Sequence, residues 1–166
     1  MDMTVENALP DDLPAITAIL NHAILHTTAV WYDDPRTDLE MRAWFELKRE
    51  LRVPVLVARS AGQVAGYASY GPFRPWSGYR HTMEHSVYVA EGLRGRGAGR
   101  LLLGALVERA RQDGLHALIG GVEADNAASL ALHRSLGFEE VGRLPEVGTK
   151  FGRWLTLVFM QRVIHD

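Results

Sequence analysis

The chain has 166 residues, 47% of them hydrophobic, which predicts a single globular domain, residues 1–166, with one substantial core. A net charge of −2 gives no basic field that would attract nucleic acid or an anionic membrane. Without cysteine there can be no disulfide, thiolate metal site or cysteinyl intermediate. Neither a signal peptide nor a membrane span is visible, so we expect a cytoplasmic protein with no metal.

The first half of the chain combines strand and helix patterns. Residues 13–26 carry an apolar stripe at helical spacing, and Thr37 and Asp38 start a second helix. Two β-rich runs flank a tight turn that contains Gly62, which is typical of a hairpin. The predicted strands of this half are 4–8, 53–59, 63–70 and 81–89.

The second half continues with a helix that begins near Arg100 and ends at Gly114. A further helix covers residues 126–136 and ends at Gly137. The predicted strands of this half are 116–122, 139–142 and 154–163. The order β-α-α-β-β-β-α-β-α-β-β predicts an α/β fold in which helices cover the faces of a mixed sheet.

A glycine-rich turn, residues 94–99, connects a predicted strand to a predicted helix. Backbone N–H groups and the positive end of the helix dipole converge at such a turn, so it can bind an anion. A dinucleotide fingerprint fails because Leu102 and Arg100 stand where its third glycine is needed. A P-loop fails because Ala105 and Leu106 replace its Lys and its Ser or Thr. A turn without a ligand is the alternative.

The helix at residues 126–136 has a polar face. At 100° per residue, Asn126, Ser129 and His133 fall within about 60° of one another. Asn126 is a good N-cap, and Gly137 followed by Phe138 is a typical helix ending. Capping therefore explains Asn126 and Gly137 but leaves His133 without a role.

The strand before the turn contains a carboxylate. Strand alternation places Glu84, Ser86 and Tyr88 on one face, and His85 on the other face with two valines. A buried and unpaired carboxylate is costly, so Glu84 is either exposed or has a task. A general base that accepts a proton from an amine would need to lie here, just upstream of the turn.

The loop at residues 71–80 combines three kinds of side chain. Prolines restrict its conformations, aromatic residues supply apolar walls, and Arg74 and Arg80 are candidate ligands for a carboxylate or a phosphinate. The loop is therefore either a clamp for a small polar substrate, an exposed aromatic segment at a subunit contact, or both.

The pattern Arg-x-x-Gly-x-Gly, formed by Arg94, Gly97 and Gly99, resembles the acyl-CoA pyrophosphate loop of the GNAT N-acetyltransferases. The order of the predicted elements is also that of the GNAT fold. The resemblance implies a twisted, mostly antiparallel mixed sheet of about seven strands flanked by about four helices, with acetyl-CoA as co-substrate. Five segments of the chain resemble one branch of this family, the phosphinothricin and methionine sulfoximine N-acetyltransferases. They are residues 73–76, 84–89, 94–99, 126–138 and 148–154.

The same resemblance implies roles for individual residues. Glu84 would be the general base. His133 stands where many members carry a tyrosine that protonates the leaving thiolate, so it is either that acid or a polar CoA-contacting or structural histidine. The residues expected to contact the acceptor are Arg74, Pro75, Trp76, Glu84, His85 and Ser86. Those expected to contact acetyl-CoA are Val87, Tyr88, Val89, Arg94, Gly95, Arg96, Gly97, Ala98, Gly99, Asn126 and Ser135.

These observations predict acetyl transfer from acetyl-CoA to the α-amine of a small amino-acid analogue such as methionine sulfoximine, methionine sulfone or phosphinothricin. The role would be resistance or ordinary metabolism. The alternatives are another acceptor, such as a polyamine, an aminoglycoside or a protein N-terminus, and a non-catalytic acyl-CoA sensor. Arg74 and Arg80 favour a zwitterionic or anionic acceptor over a polycation. The resemblance also implies a homodimer in which residues 147–150 of one subunit lie near the site of the other.

Overall fold

The computed structural model describes residues 2–164, which form a seven-stranded sheet and four α-helices. The strands are β1 (Met3–Asn7), β2 (Val55–Ser60), β3 (Gln63–Pro72), β4 (Thr82–Val89), β5 (Ala117–Glu123), β6 (Glu139–Lys150) and β7 (Arg153–Val163). The helices are α1 (Leu13–His26), α2 (Asp38–Glu50), α3 (Ala98–Gln112) and α4 (Ala127–Ser135). Within residues 2–164, no helix is both long and apolar enough to cross a membrane.

The sheet has the order β1-β2-β3-β4-β5-β7-β6, and every neighbouring pair is antiparallel except β4 and β5. The predicted mixed, mostly antiparallel sheet is therefore confirmed. The parallel pairing is short, because only Thr82–His85 of β4 pairs with Ala117–Gly120 of β5. Beyond His85 the two strands separate, while β4 remains paired with β3 as far as Val89. This separation opens a gap in the middle of the sheet.

The helices cover the two faces of the sheet as the apolar patterns predict. On one face, the buried stripe of α1, which includes Ile16 and Leu20, packs with α2 and the inner side chains of β2 and β3. On the other face, α3 and α4 pack against the sheet through Leu102, Leu106 and Leu130. The second half of β4 lies between the two clusters, because Val87 and Val89 pack against one of them and Tyr88 packs against the other.

Helix α2 has the clearest local signal. The hydroxyl of Thr37 accepts a hydrogen bond from the backbone N–H of Glu40 at 3.2 Å. The Glu40 carboxylate in turn accepts one from the backbone N–H of Thr37 at 2.8 Å. This reciprocal capping box fixes the start of the helix at the predicted position.

One strand differs from its prediction. The predicted strand 139–142 continues to Lys150, although Pro145 and Gly148 interrupt the strand pattern. Its pairing with β7 shifts register between Glu140 and Gly142 and again between Leu144 and Gly148. Such irregularities absorb extra residues, and β6 is an edge strand, where a proline removes no necessary hydrogen bond. Because proline and glycine are typical of strand ends, the sequence pattern does not reveal that the strand continues through them.

Candidate active site

The gap between β4 and β5 widens into a cleft of about 800 Å³. The second half of β4, the start of α3, the end of β5 and the polar face of α4 line it. The lining residues that sequence analysis predicted for CoA are Val87, Tyr88, Val89, Arg94, Gly95, Gly97, Ala98, Gly99 and Asn126. Arg96 and Ser135, also predicted, are not part of the lining. The structure thus brings together segments that are more than 30 residues apart in the chain.

The glycine turn provides a surface of backbone donors at one end of this cleft. Gly95 and Gly97 have φ angles of 74° and 91°, which side-chain-bearing residues rarely adopt. Hydrogen bonding within α3 starts with the N–H of Leu101 and the carbonyl of Gly97, at 3.0 Å. The N–H groups of Ala98 and Gly99 are therefore outside the helical pattern and can bind an anion.

Three arginines surround the cleft. Arg94 donates from Nε to the carbonyl oxygen of Val89 at 3.4 Å, which keeps it beside β4. Arg100 lines the cleft and donates to the hydroxyl of Ser135 at 2.8 Å, so Ser135 orients a cation instead of lining the cleft itself. Arg153 lines the cleft from β7. Sequence analysis missed Arg100 and Arg153. A signal for Arg100 was available, because this cation lies in the first turn of the helix that follows the glycine turn.

The start of α4 closes the cleft opposite α3. The side-chain oxygen of Asn126 accepts a hydrogen bond from the backbone N–H of Ser129 at 3.1 Å, so Asn126 is the N-cap that its residue type predicts. Gly99 allows α3 to approach α4, since a Cβ on it would lie 3.2 Å from a methyl group of Leu132. The two helix starts thus face the same space.

Two histidines meet at the point where β4 and β5 separate. The Nε2 atoms of His85 and His133 are 2.9 Å apart, and Nδ1 of His133 lies 2.7 Å from the carbonyl oxygen of Ser129. A carbonyl oxygen only accepts, so the proton of His133 is on Nδ1, and its Nε2 accepts a hydrogen bond from His85. Nδ1 of His85 is then a buried acceptor with no partner among residues 2–164.

Burial disfavours the charged forms of both histidines. Burial, with a smaller effect from His133, lowers the pKa of His85 to about 3. Burial also lowers the pKa of His133, against the hydrogen bond to Ser129. Gly120 of β5 makes room for the pair, because a Cβ there would lie 2.8 Å from Nε2 of each ring. With both ring nitrogens of His133 engaged, the geometry favours the structural alternative over a proton donor to the thiolate.

A second cavity of about 480 Å³ lies on the opposite face of β4. Glu84, Ser86 and Tyr88 line it from the strand, as the alternation of β4 predicts. Burial raises the pKa of the Glu84 carboxyl group, and the nearby Arg74 guanidinium offsets part of that rise. Ser86 and Tyr88 line both cavities, so the two spaces meet at this segment of β4. His85 points to the other face, away from Glu84.

The loop at residues 71–80 lies outside this smaller cavity. Arg74 stacks on the ring of Phe73 at 4.3 Å and donates to the Phe73 carbonyl oxygen at 3.0 Å. Pro75 and Trp76 are exposed, Trp76 by 66%. Of the residues predicted to contact the acceptor, only Glu84 and Ser86 line the smaller cavity, while Arg74 acts on Glu84 through its charge.

Other side chains complete the smaller cavity, and sequence analysis missed them. Tyr32 and Arg36 come from the segment after α1, and Trp44 and Lys48 come from α2. Trp44 and Lys48 are four residues apart and therefore lie on one face of the helix, with the Lys48 Nζ atom 5.6 Å from the Trp44 ring centroid. That spacing was the signal that could have revealed them.

Comparison with known proteins identifies the family. The family model described as "Acetyltransferase (GNAT) family" matches residues 16–138. The chain belongs to this family. The match includes the glycine turn, Glu84 and all of α4, so the features that suggested the resemblance lie within the matched region, apart from residues 148–154. The family predicted from the sequence is confirmed.

Individual relatives of this GNAT chain have related names. The L-methionine sulfoximine/L-methionine sulfone acetyltransferase of Pseudomonas aeruginosa is 51% identical over 162 residues, or 97% of this chain and 94% of that protein. The crystal structure of a ribosomal-protein-alanine N-acetyltransferase from Brucella melitensis is 53% identical, with a TM-score of 0.95 and coverage of 96% and 99%. A phosphinothricin acetyltransferase from Sinorhizobium meliloti, solved with acetyl-CoA, is 36% identical, with a TM-score of 0.96 and coverage of 99% and 89%. The predicted GNAT fold and branch are thereby confirmed.

Proposed function

We propose that this protein transfers the acetyl group of acetyl-CoA to the α-amine of a small amino-acid analogue of the methionine sulfone, methionine sulfoximine or phosphinothricin type. The observation that carries the proposal is the meeting of two cavities at Ser86 and Tyr88. The larger cavity has an anion site at its end, and the smaller one contains the carboxylate of Glu84. Donor and acceptor can therefore enter from opposite faces of the sheet and meet at β4.

The larger cleft fits acetyl-CoA in two respects. Residues 86–89 have no β5 partner, so their backbone is available to a ligand that runs alongside β4. The glycine turn, with Arg94 and Arg100 beside it, supplies donors and positive charge for a pyrophosphate group. When bound, acetyl-CoA supplies an acetyl group that is activated as a thioester.

Glu84 is the proposed general base. Its raised pKa makes the carboxylate a better proton acceptor. The amine nitrogen attacks the acetyl carbonyl carbon, the carbon–nitrogen bond forms, the carbon–sulfur bond breaks, and the amine proton passes to Glu84 directly or through water. Backbone N–H groups near Val89 would stabilise the developing oxyanion. We assign protonation of the departing thiolate to water, since His133 is engaged by His85 and Ser129.

A second candidate acceptor is the N-terminal amine of a protein, which the name of the Brucella relative favours. Thiol release can be measured with acetyl-CoA and, in turn, methionine sulfone, methionine sulfoximine, phosphinothricin and an alanine-starting peptide. We expect release with the free amino-acid analogues. Release with the peptide alone would establish the second candidate, and tight acetyl-CoA binding without release for any amine would establish a sensor.

We also propose that the protein is cytoplasmic, since the cytoplasm supplies acetyl-CoA. We propose in addition that it forms a homodimer, since the surface of the β6–β7 hairpin near the site is apolar. Val147, Phe151 and Trp154 are exposed on the β6–β7 hairpin, Trp154 by 70%. Lys150 is buried in its own chain. Its Nζ atom donates to the carbonyl oxygens of Thr27 and Val30, which follow α1, at 2.6 Å each. Sedimentation that gave a monomeric mass at micromolar concentration would contradict the dimer.

A further inference from the structure

Lys48 is a cation whose charge the described part of the chain leaves uncompensated. It is half-buried in the smaller cavity, and its Nζ atom donates to the carbonyl oxygen of Tyr70 at 2.8 Å. None of the ion pairs within residues 2–164 includes it. Burial lowers its pKa to about 8, so the amine is still mostly protonated at pH 7. A partly desolvated charge is costly unless it has a partner.

The register of the sheet places this ammonium group on the same face of the sheet as Glu84, with no ion pair between the two. Gly71 of β3 pairs with Glu84 of β4, and side chains at directly paired positions lie on the same face with Cβ atoms about 5 Å apart. A Cβ on Gly71 would lie 3.3 Å from Nζ of Lys48. The absence of a side chain at Gly71 thus leaves space for the ammonium over β3, within the cavity that Glu84 also lines.

The other cations near this cavity have different positions or partners. Arg36 lies 3.3 Å from a carboxylate oxygen of Glu40 and stacks 4.0 Å from the Tyr32 ring centroid. Arg74 and Arg80 are exposed, donate to carbonyl oxygens of their own loop, and do not line the cavity. Among the cations that line the cavity, Lys48 is therefore the one without a carboxylate.

We infer that the Lys48 ammonium binds the α-carboxylate of the acceptor while Glu84 receives the α-amine. An ammonium has three N–H donors, and one of them goes to Tyr70, so two remain for a ligand. Arg36 and Glu40 pair with each other, so the cavity presents the Glu84 carboxylate and the Lys48 ammonium to a ligand, and this pair of charges is complementary to a zwitterion. Lys48 then selects α-amino acids over simple amines. This inference rests on the proposed function and extends it to the acceptor's carboxylate.

The test compares two acceptors that differ by this one group. L-Methionine sulfone carries the α-carboxylate, and 3-(methylsulfonyl)propan-1-amine lacks it. We would measure kcat/KM for both with the wild type and with Lys48→Met. We expect the variant to lose about 10- to 100-fold with methionine sulfone, chiefly through KM, since a hydrogen bond to a charged group is at stake. With the amine, the loss should be at least tenfold smaller. The variant is compared with the wild type for one acceptor at a time. The difference between the pKa values of the two amines therefore does not affect the measured losses.

Two further variants serve as controls. Arg42→Met removes a charge from an exposed position of the same helix and should change neither kcat/KM. Lys48→Arg retains a cation and should restore part of the preference for methionine sulfone. If Lys48→Met does not fold, Gly71→Ala keeps the lysine but displaces its ammonium, and the same selective loss is expected in smaller measure.

The outcomes separate this inference from the proposed function. Equal losses with both acceptors would show that Lys48 only supports the packing of α2, and an unchanged kcat/KM for methionine sulfone would show no role at all. A wild type that prefers neither acceptor would also overturn the carboxylate site while leaving acetyl transfer intact. Absence of thiol release with every amine would instead refute the proposed function, and the inference with it.

Discussion

The two faces of β4 carry cavities of different construction. The cleft on the face of α3 and α4 is built largely from backbone: a strand edge that has lost its partner, a turn with two glycines at positive φ, and the start of a helix. The cavity on the face of α1 and α2 is built from side chains such as Glu84, Trp44 and Lys48. Within this family the acetyl donor is constant, and backbone geometry suits its binding. Side chains that bind the acceptor can vary as the acceptor varies.

The His85–His133 pair lines the larger cleft at its vertex, the point where β4 and β5 separate, and neither histidine lines the smaller cavity. Its hydrogen bonds connect β4 to α4, and Gly120 gives it room. We therefore expect changes in the small cavity to affect chemistry, changes at the vertex to affect stability, and changes in the turn to affect donor binding. The following predictions test this division, from the largest expected effect to the smallest.

Replacement of Glu84 by Gln should have the largest effect. Loss of a general base lowers kcat by about 10²- to 10⁴-fold, while KM for acetyl-CoA should stay within about twofold because Glu84 lies on the other face. Thiol release at pH 7 measures both constants. Full turnover by this variant would remove Glu84 from the role of base.

Gly120→Ala should destabilise the fold by about 1–3 kcal/mol, since its methyl group would lie within 3 Å of both imidazole rings. Urea unfolding at pH 7 measures the change. Gly104→Ala is the matched control: its Cβ would meet nothing within 4 Å, and alanine favours a helix, so that variant should be at least as stable as the wild type. Equal stability of the two variants would contradict the tight packing of the histidine pair.

Acidification should weaken the fold through His85. The pKa of the folded-state ring is about 3, below its ordinary value near 6.5, so the stabilisation is present above pH 6.5 and is lost as pH falls. Between pH 7 and pH 5 the unfolded chain gains a proton that the folded state does not bind, which costs about 2 kcal/mol. Urea unfolding at both pH values should show that His85→Gln is less pH-dependent by this amount. An unchanged dependence would show that His85 is not buried in the neutral form.

Gly97→Ala should weaken the binding of acetyl-CoA, and its free-energy change should be the smallest of the four predicted here. An alanine at φ 91° is strained by about 1–2 kcal/mol, so the turn would relax and the affinity for acetyl-CoA would fall about 5- to 30-fold. Calorimetric titration measures the affinity, and Gly92→Ala serves as a control because that glycine has no positive φ and open space around it. Similar affinities of the two variants would mean that the turn does not contact the donor.

The success of the sequence predictions differs between the two faces for a physical reason. Arg94, Gly97 and Gly99 lie within six residues, so their spacing alone indicates the shape of the turn. The helix cap at Asn126 and the alternation of Glu84 and Ser86 are equally local. Lys48 and Glu84, by contrast, are 36 residues apart and line one cavity only when α2 packs on the sheet and β3 pairs with β4.

By itself, the sequence determined the types and order of the elements and the glycine turn, because each depends on periodicity or on spacing within a few residues. The resemblance to the family likewise depended on short local motifs. The tertiary structure alone decided three things: the buried hydrogen bond between His85 and His133, the contact of Ser135 with Arg100, and the cavity that Lys48 and Glu84 share. These properties depend on strand register and on burial, which arise from contacts between distant parts of the chain.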